Sequence, residues 1–227
     1  ERLQSGANLL FVERAMPTSL LPNRDVGLQL HGEVATGVLA WALAVQTGTA
    51  DGGSSDGDAN DGKDVTARLF AQPFKRSQGP LRGLGLGIAG QAGRQNAASP
   101  AAYKTPGQLS FFSYASGVTI DGTRQRLSPQ GYFYLGPLGI LGEYALSSSP
   151  LVKEDKNDPA LTVRGRVRSS AWQAAASCFL TGEKAGFSAV KPAKPFDPGK
   201  GQWGALELAA RVHQLSVGAK PFDLGLA

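Results

Sequence analysis

The chain has one cysteine and two histidines in 227 residues. Cys178 has no intrachain disulfide partner, and a multi-cysteine metal site is excluded. His31 and His213 are too few for a histidine metal cluster, so neither a metal nor a cofactor is expected. Long hydrophobic runs are also missing. The longest apolar stretch lies near residues 38–45, far short of the ~20 apolar residues of a membrane helix. Helix signals are scarce, with no long 3.6-residue stripe carrying caps. No Ser/His/Asp set, phosphate-cradling loop or cysteine pair supports catalysis, so the chain is not expected to be an enzyme. The run Gly83-Leu84-Gly85-Leu86-Gly87 has the wrong spacing for a dinucleotide fingerprint and no helical pattern follows it. The net charge of +5 favours anionic partners in general and does not point to nucleic acid. No signal-peptide pattern opens the chain. Its first residues begin in mid-pattern, and residues 222–227 read as the start of another strand. Both ends are therefore read as truncations of a single domain spanning 1–227.

What is present is alternation. Leu206, Leu208, Ala210 and Val212 fall on one side of an extended segment, and Glu207, Ala209, Arg211 and His213 on the other. The same period recurs upstream. Val26, Leu28 and Leu30 oppose Gln29, His31 and Glu33. Leu39, Trp41, Leu43 and Val45 oppose Ala40, Ala42 and Ala44, and Val65, Ala67 and Leu69 oppose Thr66 and Arg68. Leu84, Leu86 and Ile88 oppose Gly83, Gly85, Gly87 and Ala89; such a glycine row predicts a close approach, here a loop folded inward. About nine strands are expected, near 8–14, 25–33, 38–48, 64–74, 82–92, 123–135, 138–148, 161–181 and 203–216. Connections alternate between short, as at Gly136-Pro137, and long, as at 49–63 and 93–122. Segment 181–202 breaks that rule and is expected to fold against a rim.

Short turns at one end and long loops at the other are the pattern of an outer-membrane barrel. The expected fold is all-β, an antiparallel transmembrane β-barrel with lipid outside and a wet lumen inside. A mean hydropathy of −0.16 is compatible with it, because alternating strands spread their apolar residues thinly. Aromatic residues near strand ends (Phe70, Phe74, Tyr132, Tyr134, Tyr144, Trp172, Phe179, Trp203) are expected in interfacial girdles. Candidate channel-lining or anion-binding residues are Arg68, Arg124, Arg126, Arg164, Arg166, Arg168, Arg211 and His213. Arg164, Arg166 and Arg168 share one face at i, i+2, i+4, where guanidinium forks suit phosphate oxygens. Their parity matches Trp172, Ala174 and Cys178, which read as lipid-facing. Either a bulge near Ser169-Ser170 turns the arginines to the lumen, or they point outward toward lipid phosphates. Aspartates 51, 56, 58, 61 and 64 read as a solvated loop; Asp61 and Ala67 stand where a calcium loop requires Gly and Glu.

A set of segments runs along nearly the whole chain: Phe11-Val-Glu-Arg-Ala-Met-Pro17, Gly107-Gln-Leu-Ser-Phe-Phe-Ser-Tyr-Ala115 with Asp121-Gly122 and Ser128-Pro-Gln-Gly-Tyr-Phe-Tyr134, and Gly136-Pro-Leu-Gly139 with Glu143-Tyr144. It continues through Ala171-Trp-Gln173, Leu180-Thr-Gly-Glu183 and Lys194-Pro-Phe-Asp-Pro198 to Trp203-Gly-Ala-Leu-Glu-Leu-Ala-Ala-Arg211. By these segments the chain resembles the phosphate-selective porin O and P family. The resemblance implies a partial barrel, about nine strands of sixteen, in the outer membrane of a Gram-negative cell. It implies a homotrimer in contact with outer-membrane lipids, and passive diffusion of anions, phosphate or polyphosphate among them. The family's inward constriction loop would lie before Glu1, so no phosphate site is carried over. Two alternatives stand beside this reading: a general non-selective porin, and a surface-binding protein built on a soluble β-sandwich.

Overall fold

A computed structural model describes residues 2–4, 9–56, 62–155 and 158–227. Its strands are β1 (Gly27–Val34), β2 (Leu39–Gln46), β3 (Asp64–Ala71), β4 (Leu84–Ala98), β5 (Tyr103–Lys104) and β6 (Ser110–Phe112). They continue as β7 (Val118–Leu135), β8 (Leu138–Lys153), β9 (Val163–Phe179), β10 (Phe196–Asp197), β11 (Gln202–Trp203) and β12 (Glu207–Val217). Eight of them form one antiparallel sheet in the order β1-β2-β3-β4-β7-β8-β9-β12. The pairs β5–β6 and β10–β11 are separate two-stranded ribbons. The sheet is open. Among the described residues, β1 and β12 are its edges and do not pair with each other.

Local chemistry explains the meander. Leu135 pairs with Leu138 across the two-residue turn Gly136-Pro137, where Gly136 takes φ +57°, a left-handed value that glycine adopts without a Cβ penalty. Val34 pairs with Leu39 across residues 35–38, and there Ala35 and Thr36 carry positive φ (53° and 58°) that side chains resist. Short connections and the irregular 180–206 segment lie at one end of the sheet; the 47–63, 99–117 and 154–162 connections lie at the other.

One face of the sheet is covered and the other is bare. Leu20 and Leu21 pack on Tyr103, Ala145 and Ala171. Leu3, Leu10, Phe11 and Phe187 pack on Leu141 and Ala175. Leu226 packs on Val118, Ile120, Leu151 and Val167. The segments before β1, between β4 and β7, within 180–206 and after β12 thus all contribute to one layer on one face. Residues 9–14 are therefore not the strand the alternation predicts. Leu10 and Phe11 are held by apolar contacts across the sheet instead of by a ladder. Position 8 of that expected strand lies outside the described residues. The C-terminal residues likewise form a one-turn helix, α1 (Lys220–Asp223), followed by the buried Leu226, in place of a further strand.

The glycine row of β4 makes room for rings, not for a loop. A Cβ at Gly85 would lie 2.5 Å from Tyr132 and 2.9 Å from Phe70, and one at Gly87 would lie 2.4 Å from Phe70. Phe70 and Tyr132 meet at 5.3 Å, Tyr132 stacks on Phe187 at 5.0 Å, and Tyr134 lies 5.1 Å from Tyr132. With the buried Phe179, these rings belong to the covered face and not to an outer girdle, as their positions near strand ends suggested. Tyr144 and Trp172 do stand on the bare face, as cross-strand partners.

Candidate functional site

Register assigns every candidate residue to a face. The line Trp41, Leu69, Ile88, Pro129 runs across β2, β3, β4 and β7, and Tyr144, Trp172 and Gln214 continue it across β8, β9 and β12. These side chains are exposed, as are Leu28 (85%), Leu43 (47%), Ile140 (55%), Leu208 (66%) and Val212 (63%). The rows Leu39/Trp41/Leu43/Val45 and Leu206/Leu208/Ala210/Val212 therefore lie on no second sheet. The opposite parity holds Asp64, Thr66, Arg68, Gln91, Arg124, Arg126, Ser128, Gln130, Glu143, Ser147, Gln173, Arg211 and His213, most of them buried.

Arg124 and Arg126 do not line an open passage. The Arg124 Nη2 donates to Asp64 Oδ2 (3.0 Å), Gly48 O (2.9 Å) and Thr49 O (2.8 Å). Arg126 donates from Nε and Nη2 to Asp51 Oδ1 (2.8 and 2.6 Å), from Nη2 to Thr49 O (2.8 Å), and from Nη1 to Gln91. Its Nη1 also lies 3.7 Å from Asp64 Oδ2. The Ser147 hydroxyl donates to Asp51 Oδ2 (2.8 Å), and the Gln95 amide to Asp64 Oδ1 (2.9 Å). Two guanidiniums and two carboxylates cancel in charge, and both arginine side chains are only 1% exposed. Such buried pairs persist when each charge has a counter-charge, as here, although Arg124 Nε and Nη1 find no hydrogen-bond partner among the described residues. They hold residues 48–51 against β7 and β8, with neither guanidinium open to solvent. The reading of Asp51 and Asp64 as solvated is corrected. They are buried counter-ions and not members of a solvated loop, while Asp58 and Asp61 lie outside the described residues. Among the described residues no group of three or more His, Cys, Asp or Glu could hold a metal.

Arg68 is different. Its Nη2 donates to Gln130 Oε1 (3.1 Å), and its guanidinium lies 5.1 Å from the centre of the Phe70 ring. Among the described residues no carboxylate lies within ion-pair distance of it. It borders a cleft of about 140 Å³ on the covered face, shared with Asp25, Gln29, Ala42, Gln46 and Thr66. Arg211 and His213 share the covered face with Glu207, as the alternation predicts. Arg211 lies over the Phe11 ring (4.4 Å) and donates to Glu13 O (2.8 Å), so the 9–15 segment shields it. His213 Nδ1 is buried without a hydrogen-bond partner. Glu143 carries no local signal of its role: its carboxylate accepts from Leu3 N (2.8 Å) and Gln173 Nε2 (2.9 Å), tying the N-terminal segment to the wall.

Arg164, Arg166 and Arg168 stand on the bare face. Strand β9 pairs without a register shift from Cys178 to Val163 against β8, and from Phe179 to Ser169 against β12. The bulge that would turn them inward does not form, and they keep the parity of Trp172. No protein-family model matches the chain, and no curated protein matches it either.

Proposed function

We propose that this chain is a wall segment of an outer-membrane β-barrel pore for the passive diffusion of small anions, with the covered face turned to the lumen. The observation that carries it is the inversion of polarity across one sheet. Eight consecutive antiparallel strands expose their apolar side chains on one face and bury charged and amide side chains on the other. Water selects the reverse arrangement, whereas hydrocarbon outside and a wet interior select this one. The loops and the N-terminal segment that cover the polar face would narrow the passage. Arg68 beside its cleft is a cation without an ion-pair partner among the described residues, and a fixed guanidinium can replace part of an anion's hydration.

The wall reading is tested by a nitroxide scan along β9 in lipid vesicles. Labels at residues 172, 174 and 176 should be relaxed by oxygen, and labels at 171, 173 and 175, which the covering layer buries, far less. Absence of that two-residue period would defeat the reading. The anion reading is tested in the complete pore by Arg68→Glu, which should lower the anion-to-cation permeability ratio measured from reversal potentials in a salt gradient. One observation favours a second reading, a pore without phosphate selectivity. Arg124 and Arg126 are spent on Asp51 and Asp64, which leaves few uncompensated cations on the covered face. Phosphate failing to block chloride current would select that version.

A further inference from the structure

We infer that Arg164, Arg166 and Arg168, together with Arg94, form a docking strip for the phosphate groups of anionic lipid headgroups. The inference rests on the bare face being the lipid-facing one. Register shows where the apolar face ends. Val45, Val65, Ala92, Gln125, Ser148 and Arg168 stand on one line across six strands. Below it lie Leu43, Ala67, Gly90, Leu127 and Leu146, and above it Arg94, Thr123 and Arg166. The arginines on β9 are thus about 7 Å apart along the strand, immediately beyond an apolar band. Trp172 and Tyr144, paired on the same face, stand between them and the band's centre. Arg168 stands four residues, about 13 Å along the strand, beyond Trp172, so the first guanidinium lies at the edge of the apolar band.

These guanidiniums are available in a way that Arg124 and Arg126 are not. Arg166 donates to Ser148 Oγ (3.2 Å) and to Thr123 O (3.1 Å), both uncharged, and the latter belongs to the residue paired with Arg94. Among the described residues Arg164 reaches one carboxylate, Asp121 at 3.9 Å, with both side chains largely open to solvent (64% and 40%). Arg94 and Arg168 are exposed and, among the described residues, make no ion pair. Among the described residues the four guanidiniums thus share one ion-pair carboxylate, and each fork matches phosphate oxygens bidentately. A free phosphate has no use for the adjoining apolar band. A lipid places its acyl chains there while its phosphate meets the strip, so the occupant is a lipid.

The test uses the complete pore in vesicles, with its tryptophans other than Trp172 replaced by Phe so that Trp172 is the reporter. Brominated phosphatidylcholine should quench Trp172. Brominated phosphatidic acid should replace it preferentially, by about five-fold for each arginine that engages. The preference should vanish in Arg164→Ala/Arg166→Ala/Arg168→Ala and survive millimolar inorganic phosphate. The single variant Arg168→Gln, which breaks no described hydrogen bond, should lose one such factor even if the triple variant folds poorly. Equal lipid preference in the parent and in Arg168→Gln, or loss of the preference to inorganic phosphate, would overturn the inference. No quenching of the parent by brominated phosphatidylcholine would instead defeat the lipid-facing reading, and the docking strip with it.

Discussion

Replacing Asp64 by Asn tests whether the covered face is held together by matched charge. Asn keeps the shape of the side chain and removes its charge. In the parent, Asp64 Oδ2 accepts from Arg124 at 3.0 Å with both side chains 1% exposed, and Oδ1 accepts from Gln95 at 2.9 Å. The variant leaves one amide oxygen for two donors, Arg124 and Gln95, and no negative charge against the buried Arg124 guanidinium, which keeps Gly48 O and Thr49 O. Removing one partner of a buried pair costs roughly 3–5 kcal/mol. Asp51, bound to the neighbouring Arg126, still offers long-range compensation, so the lower end, about 3 kcal/mol, is expected. The exposed pair Lys200–Asp197, 2.8 Å apart, is the control; Asp197→Asn should cost about 0–1 kcal/mol. Urea unfolding in detergent micelles, followed by tryptophan fluorescence, reads both. A double-mutant cycle with Arg124→Gln should return most of the Asp64→Asn cost as coupling energy. If Asp64→Asn stays within about 0.5 kcal/mol of the parent, as surface substitutions do, the pair is not desolvated and the argument fails.

Three further outcomes are expected. The Asp25 carboxylate is pushed up by partial burial, but the hydrogen bonds from Thr47, Thr49 and Gly48 outweigh this and hold its pKa below the ordinary 3.8. Its stabilisation is then complete above that value and lost as pH falls through the lower folded one, so the melting-temperature gap between parent and Asp25→Asn should close in strong acid. Gly85→Ala should cost roughly 1–3 kcal/mol in urea unfolding, because its Cβ meets the Tyr132 ring at 2.5 Å while Phe187 stacks on that ring. Adding Phe187→Ala should recover part of the loss. Arg211→Ala removes both the ring contact to Phe11 and the bond to Glu13 O, so trypsin should cut at Arg14 faster with the rest of the sheet intact. Unchanged cleavage there would show that Arg211 does not hold the segment.

Period two made the strands and their faces legible. The strands near 25–33, 38–48, 64–74, 138–148 and 161–181 coincide with β1, β2, β3, β8 and β9 to within a few residues at each end. Parity alone placed Arg68, Arg211 and His213 opposite the leucines. What it could not show is whatever depends on residues far apart in the chain. Arg126 meets Asp51 across 75 positions, and Glu143 meets Leu3 across 140. A local pattern assigns an aspartate in a Gly/Ser/Asn-rich loop to solvent, because nothing nearby tells that the loop folds onto arginines. The segment near residues 8–14 misled for a related reason. Its apolar residues pack on the sheet by side chains alone, and such a segment needs no ladder. The arginine ladder was undecided because a single bulge would reverse its parity. Only the unbroken pairing of β9 on both sides removes that freedom.

Burial and hydrophobicity are uncoupled in this sheet, and that uncoupling bears on architecture more than any single residue does. A β-sandwich would bury the Leu43, Leu69, Ile88 and Leu127 side of its strands against a second sheet. Here those side chains are 41–51% exposed, while Asp64, Gln91, Gln95, Arg124, Arg126, Ser128 and Glu143 are at most 5% exposed. In water the bare face would be an apolar patch far beyond the few hundred Å² that soluble monomers carry. The two free edges compound the difficulty. β1 is exposed or half-exposed along its whole length, and unpaired backbone groups there and on β12 invite further strands. An open edge is costlier still in hydrocarbon, where no water satisfies the backbone. The environment that suits the bare face is therefore the one that least tolerates the open edges. On the proposed pore reading, more strands beside β1 and β12 would close the wall around the buried charges.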